Sequence, residues 1–295
     1  MTHPARIVRP RRSVLYMPGS KARALEKARS LPADSLILDL EDAVGPSDKA
    51  AAREMVARTV REGGFGHREV AVRINGLDTE WGAADLEAAA AAGPDAILVP
   101  KVGAPEDLLE VERRMTAAGA PESCAIWAMM ETPQGVLAAE RIAAATPRLA
   151  CFVLGTNDLV KELGAEHVPG REPLLTALGM CLLAARAHGL ACVDGVYNAY
   201  LDEEGLRAEC LQGRRMGFDG KTLIHPAQLA VANELFAPSA EDLALARRQV
   251  EAYEQALAEG KGLAVVDGRI VENLHVETAR ALLAKAEAIA RMQQG

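Results

Sequence analysis

Aromatic residues are scarce in this chain: two Trp, four Tyr and four Phe make up 3% of its 295 residues, although 49% are apolar. Ala, Leu, Val and Ile must therefore fill the interior, which suits branched strand cores and Ala-rich helices. Disulfide chemistry is just as poorly provided for. The five cysteines (Cys124, Cys151, Cys181, Cys192 and Cys210) are odd in number, contain no CxxC pair and fall mostly in apolar runs, so they read as reduced core residues. No stretch approaches the ~18 uninterrupted apolar residues of a membrane span, and no apolar run follows the basic start Met1–Arg6 as it would in an export signal. Positive charge is short as well. A net charge of −8 and a pI near 5.4 argue against a general nucleic-acid surface and lead us to expect a cytoplasmic protein. The first apolar run is not followed by GxGxxG, the fingerprint of an open dinucleotide-binding sheet, and no repeat of solenoid period is visible.

What the chain does have is an alternation of short apolar runs with longer helix-periodic segments. The runs are Ser13–Met17, Ser35–Leu40, Glu69–Ile74, Ala96–Pro100, Ala125–Met130, Cys151–Leu154, Ala191–Val196 and Lys221–Ile224. Helices are expected around Ser20–Ser30, Ser47–Arg61, Thr79–Ala92, Glu106–Ala118, Pro133–Ala145, Glu172–His188, Glu203–Met216 and Pro226–Phe236. Eight such pairs are what a (β/α)₈ TIM barrel needs, and ~250 residues is its ordinary size. We therefore expect an α/β barrel over residues 1–238 and a C-terminal helical and hairpin appendage over 239–295. In the appendage Glu241–Glu259 reads as a long amphipathic helix. Leu263–Val271 reads as a hairpin turning at Asp267-Gly268, and Val276–Met292 as a last helix. So small a segment holds little core alone and is expected to pack on the barrel or on a neighbouring subunit.

Nearly every run ends in polar groups that a core could not hold: Ser20 and Lys21; Asp39, Glu41 and Asp42; Arg73 and Asn75; Lys101; Glu131; Asp158; Asp194 and Asn198; His225. Barrel enzymes place catalysis at this C-terminal face, although loop-borne polarity explains any single residue equally well. Two of these positions stand out. Glu131 closes the fifth run just before Pro133 opens a helix, and Asp158 lies just past the sixth. Consecutive strands are neighbours in a barrel, so the two carboxylates converge and repel unless a cation lies between them. Mg²⁺, which takes one or two carboxylates with water and substrate oxygens, suits this arrangement. Stabilisation of the two acids by helix dipoles is the alternative.

The segments RSVLYMPGS (12–20), LDLEDA (38–43), VRING (72–76), VPK (99–101), METPQG (130–135), GTNDL (155–159) and GKTLIHP (220–226) occur in this order along the chain. With them the sequence resembles the citrate lyase β-subunit-like branch of the HpcH/HpaI aldolase superfamily, which also contains malyl-CoA lyases and (3S)-malyl-CoA thioesterase. VDGVYNAY (193–200) and VENLHVETA (271–279) look most like the thioesterase subgroup. The resemblance implies Mg²⁺ on Glu131 and Asp158, with Mn²⁺ as a substitute, a CoA thioester of a β-hydroxy acid as substrate, and a homotrimer or homohexamer. It makes Arg73 the substrate-binding arginine and sets Glu41 and Asp42 around metal-bound water. Glu272 stands where the lyases carry an acid/base carboxylate, one methylene longer here; a solvated hairpin residue is the other reading. For the CoA phosphates, Arg11, Arg12, Lys21 and Arg23 flank Pro18-Gly19-Ser20, so Arg12, Ser20, Lys21 and Asn75 are expected to join Arg73 in binding substrate. The main expectation is a carbon–carbon lyase acting on malyl-CoA, β-methylmalyl-CoA or citryl-CoA through a thioester enolate. Hydrolysis of the same thioester and a carrier-dependent citrate-lyase-like subunit are the alternatives. Neither a nucleic-acid nor a membrane partner is expected.

Overall fold

The computed structural model describes residues 9–294, so the basic start Met1–Arg6 lies outside the described residues. The described residues divide into two compact units, one over Arg11–Phe236 and one formed by residues 9–10 and 237–294.

The first unit opens with β1 (Ser13–Pro18), α1 (Ala22–Ala28), β2 (Ser35–Asp39), α2 (Lys49–Glu62), β3 (Glu69–Arg73), α3 (Gly82–Ala92), β4 (Ala96–Val99) and α4 (Pro105–Ala117). It continues through β5 (Ala125–Met130), α5 (Pro133–Leu137), α6 (Ala139–Ala143), β6 (Leu149–Leu154), α7 (Thr156–Leu163), α8 (Leu175–Ala187), β7 (Ala191–Asp194), α9 (Glu203–Met216), β8 (Gly220–Leu223) and α10 (Leu229–Leu235). The eight strands pair in sequence order, all parallel, and β8 closes on β1. This is the expected TIM barrel. Side chains divide by parity along each strand. One set, including Val14, Ile37, Ala71, Leu98, Trp127, Met129 and Val153, fills the barrel; the other, including Leu15, Leu36, Leu38 and Val72, meets the helices.

The helices depart from expectation in two places, both beside the C-terminal mouth of the barrel. The segment read as one helix from Pro133 breaks at Ala138 (φ −96°, ψ 4°). Its first turn is held against the loop after β4, where a Cβ on Gly135 would collide with Val102 O, and its second must re-aim to bury Ile142. Short α7, not anticipated, begins directly after β6 and carries Asp158 in its first turn.

The second unit holds α11 (Ala240–Ala258), a hairpin of β9 (Ala264–Val266) and β10 (Arg269–Val271), and α12 (Asn273–Gln294). Ser239 caps α11 by accepting from the Asp242 amide at 3.0 Å. Asp267 and Gly268 both adopt positive φ (49° and 73°), as a two-residue hairpin turn requires. Tyr253, Ala256, Ala264, Val266, Val271 and Val276 form a small core of its own.

Candidate active site

Parity brings Tyr16 from β1, Asp39 from β2, Arg73 from β3, and Met129 and then Glu131 from β5 to the C-terminal mouth of the barrel. There they line a cavity of about 300 Å³ with Asp42, Gly155, Asp158 and Ile224. Arg73 is its hub. Nε and Nη2 donate to the two Asp39 oxygens at 2.6 and 2.7 Å, and the guanidinium lies 4.9 Å over the Tyr16 ring centre. Burial opposes the Arg73 charge, but Asp39, with Glu41 behind it, outweighs burial and holds the guanidinium firmly protonated. Its third nitrogen, Nη1, faces Asp42 Oδ2 at 3.2 Å and Glu41 Oε2 at 2.7 Å. The contact with Glu41 lies off the hydrogen-bonding direction, so that buried oxygen is left without a hydrogen-bond partner.

Glu131 is 1% exposed and faces the same space. Its Oε1 accepts the Lys101 amide at 2.7 Å, and Lys101 adopts a left-handed backbone (φ 50°) that only a surrounding constraint maintains in a non-glycine residue. The other carboxylate oxygen lies flat on Gly155, where any Cβ would collide with it. Glycine is thus required where β6 passes β5, and this close passage sets Glu131 beside the first turn of α7. Burial first, then Glu41 and Asp158, push the Glu131 carboxyl up to about 8. Glu41 shifts the same way, through burial with Asp42 and Asp39 against Arg73 and Lys101. Lys101 Nζ reaches Glu41 Oε1 at 3.4 Å.

The structure therefore gathers Arg73, Glu41, Asp42, Glu131 and Asp158 at one mouth. Ser20 and Lys21 follow β1 on the same face but do not line the cavity. Arg12 has to be withdrawn from the substrate-binding set. It precedes β1 at the opposite end of the barrel, is 6% exposed, and grips both oxygens of Asp34 at 2.7 and 2.8 Å. Arg11 is there as well, clamped on Glu69 at 2.6 and 2.7 Å. Asn75 is withdrawn for a different reason. Its amide is consumed by Leu40 O and Asp85, its oxygen takes the Lys49 ammonium at 2.7 Å, and it does not reach the cavity. Glu272 lies in the second unit, exposed between β10 and α12, its amide donating to His275 Nδ1 at 3.1 Å. His225 acts as a cap, its Nδ1 accepting the Ala227 amide at 3.2 Å. Asp39 stood only among the many polar run ends, and Tyr16 and Met129 were missed; a period of two back from Glu131, or forward from Val14 and Ile37, finds all three.

Among the described residues no group of three or more His, Cys, Asp or Glu gathers as a ready-made metal cluster. The donor chemistry nonetheless fits Mg²⁺. Glu131 and Asp158 are hard oxygen donors beside a water-accessible cavity, and a dication there would relieve the burial and repulsion that push Glu131 up.

A model of the HpcH/HpaI aldolase/citrate lyase family matches residues 12–226. Over 281 residues the chain is 61% identical to a (3S)-malyl-CoA thioesterase of Cereibacter sphaeroides, covering 95% of this chain and 96% of that one. It is 38% identical over 287 residues to citrate lyase subunit beta of Escherichia coli K12, covering 96% and 95%. Among solved structures, CitE from Mycobacterium tuberculosis in complex with magnesium, acetoacetate and coenzyme A matches with a TM-score of 0.78 at 30% identity, over 94% of this chain and 98% of that one. Among the described residues no helix is long and apolar enough to cross a membrane.

Proposed function

Since the chain belongs to the HpcH/HpaI aldolase/citrate lyase family, we propose that it is a Mg²⁺-dependent hydrolase of (3S)-malyl-CoA, releasing malate and free CoA. The observation that carries this reading is the end-to-end identity to a (3S)-malyl-CoA thioesterase, well above that to the citrate lyase subunit. It reverses the order in which the sequence alone placed lyase and hydrolase.

Glu131 and Asp158 are the residues to hold the metal, with Mn²⁺ as a substitute. When bound, it supplies Lewis acidity toward oxygens of the malyl group and cancels repulsion among the acids. The chain's own residues do the rest. Asp39 holds Nε and Nη2 of Arg73, so the guanidinium cannot swing and Nη1 is the donor presented to the cavity. Placed on the thioester carbonyl oxygen, it meets the negative charge that develops as water attacks; a positioned donor of that kind is typically worth about 3–4 kcal/mol. Glu41, whose carboxyl is shifted toward neutral pH and whose Oε2 has no hydrogen-bond partner, takes the proton of the attacking water. Asp42, 65% exposed at the side chain, orients that water from the rim. Collapse of the tetrahedral carbon breaks the C–S bond, and the sulfur leaves as the CoA thiolate and receives the proton held by Glu41, which returns to the carboxylate. Glu272 is proposed to position water in the mouth of a neighbouring subunit of a homotrimer or homohexamer.

Purified protein supplied with malyl-CoA and Mg²⁺, and followed for glyoxylate, malate and free thiol in parallel, should release malate and thiol in equal amounts without glyoxylate. Glyoxylate appearing together with acetyl-CoA would overturn the hydrolase in favour of a lyase.

A further inference from the structure

Inward side chains of a TIM barrel stack in layers supplied by alternate strands. Tyr16 of β1, Arg73 of β3 and Met129 of β5 form one such layer at the catalytic mouth, and each touches the other two. Their polar ends are poorly matched. Tyr16 Oη donates to Met129 Sδ at 3.8 Å, and among the described residues this hydroxyl has no other hydrogen-bond partner. Arg73 Nη1 turns one N–H to Asp42 on the rim and the other to the same Met129 sulfur, again at 3.8 Å. A thioether accepts only weakly, so two strong donors share one poor acceptor. Packing alone does not call for this hydroxyl. The Arg73 guanidinium needs only the ring beneath it, and a buried O–H whose one acceptor is sulfur costs stability. Burial pushes the Tyr16 phenol up from its ordinary value against the pull of Arg73, with Asp39, Glu131 and Glu41 acting in the same sense as burial, so it enters the site as a donor. Tyr16 keeps part of its surface open, and both it and Met129 line the catalytic cavity. Because the two donors end on one atom, they command the same small space. An oxygen arriving there draws both from the sulfur, and the unbranched Met129 side chain has the freedom to give way.

We propose that the Tyr16 hydroxyl is a catalytic group, the second donor to the thioester carbonyl oxygen, meeting beside Arg73 Nη1 the negative charge that develops there. This role rests on the thioester reading above and adds a residue to it. Met129 Sδ marks the side from which both donors are released, and a neutral O–H beside a fixed guanidinium strengthens the grip on an oxyanion more than on the uncharged carbonyl.

Tyr16→Phe keeps the ring under Arg73 and removes only the hydroxyl. The kcat for thiol release from malyl-CoA should fall about a hundredfold while KM changes less than about twofold, the scale of losing one donor aimed at a developing oxyanion. The melting temperature should hold or rise, since no strong hydrogen bond is lost. On the malyl dithioester of CoA, where a weakly accepting sulfur replaces the carbonyl oxygen, wild type and Tyr16→Phe should differ less than about threefold. A kcat on malyl-CoA within about threefold of wild type would overturn the proposal, as would equal losses on thioester and dithioester, which a merely structural hydroxyl would give. A wild type that converts malyl-CoA to glyoxylate and acetyl-CoA would remove the hydrolase reading alone. The enolate of that cleavage carries its charge on the same oxygen, so cleavage slowed about a hundredfold in Tyr16→Phe would uphold the donor and unchanged cleavage would overturn it.

Discussion

Each end of this barrel buries arginines against carboxylates, and the two ends use them to different effect. Ahead of the strands, Arg12 is matched by Asp34 and Arg11 by Glu69, each through two short bonds, and Arg11 also lies 5.3 Å over the Trp127 ring. Charge there is balanced pair by pair. At the other end Asp39, Glu41, Asp42, Glu131 and Asp158 surround Arg73 and Lys101, so negative charge is in excess. A balanced buried pair specifies geometry and adds little else, whereas at the mouth burial, reinforced by neighbouring acids, raises the carboxyl pKa values of Glu41 and Glu131, and one oxygen of Glu41 is left unpartnered. Burial and surplus negative charge acting together mark the mouth, where neither alone would.

Exchanging carboxylate for amide at each end tests that division. Glu131→Gln keeps the shape and the acceptor for the Lys101 amide but removes a charge proposed to hold the metal. Thiol release from malyl-CoA should fall about a thousandfold, the scale of several kcal/mol in the barrier, while the melting temperature without Mg²⁺ holds or rises. A melting temperature that fell with activity would mean the mouth is as much a structural clamp as the other end. Asp34→Asn should do the opposite. Leaving Arg12 charged and buried costs about 3–5 kcal/mol of unfolding free energy, measurable by urea denaturation, and the folded fraction should keep its kcat. Lost turnover in folded Asp34→Asn would show that the two ends are coupled.

The same contrast explains what was legible in the sequence. Eight strand–helix pairs were visible because hydrophobic period changes from two to 3.6 at each boundary. Glu131 and Asp158 were visible because they end adjacent apolar strands. Arg12 was grouped with Lys21 because both are basic and close in sequence. Yet β1 lies between them, and six extended residues span roughly 20 Å, enough to place them at opposite ends of the barrel. Asp194 shows that a strand-end acid need not face the mouth: Val193 fills the barrel, so Asp194 points outward to Arg171 and Lys221. Asn75 lies two residues beyond β3, and its side chain is drawn to Leu40 O, Asp85 and Lys49 instead of following the parity of Arg73. What no local pattern could reveal is the passage of Gly155 over Glu131, a contact between two strands that decides where the carboxylate lies.

The smallest expected effect is also the most direct reading of the excess charge. The Glu131 carboxyl is held near pH 8 in the folded protein, far above an ordinary glutamate, so below that pH the site holds a proton that a metal must displace. Mg²⁺ affinity measured by calorimetry should therefore weaken as pH falls, by about tenfold between pH 8 and 6.5, with proton release seen as a dependence of the binding heat on buffer ionisation. Stability follows the same sign. Without metal, a carboxyl whose folded pKa is raised favours the folded state below its unfolded value near 4.5, and that advantage is lost as pH rises toward 8. The Mg²⁺-induced rise in melting temperature should accordingly be larger at pH 8 than at pH 6.5, and Glu131→Gln should flatten both dependences. If the metal shift is the same at both pH values, Glu131 is already ionised in the free protein and the mouth carries no uncompensated charge; the distinction between the two ends would then rest on position alone.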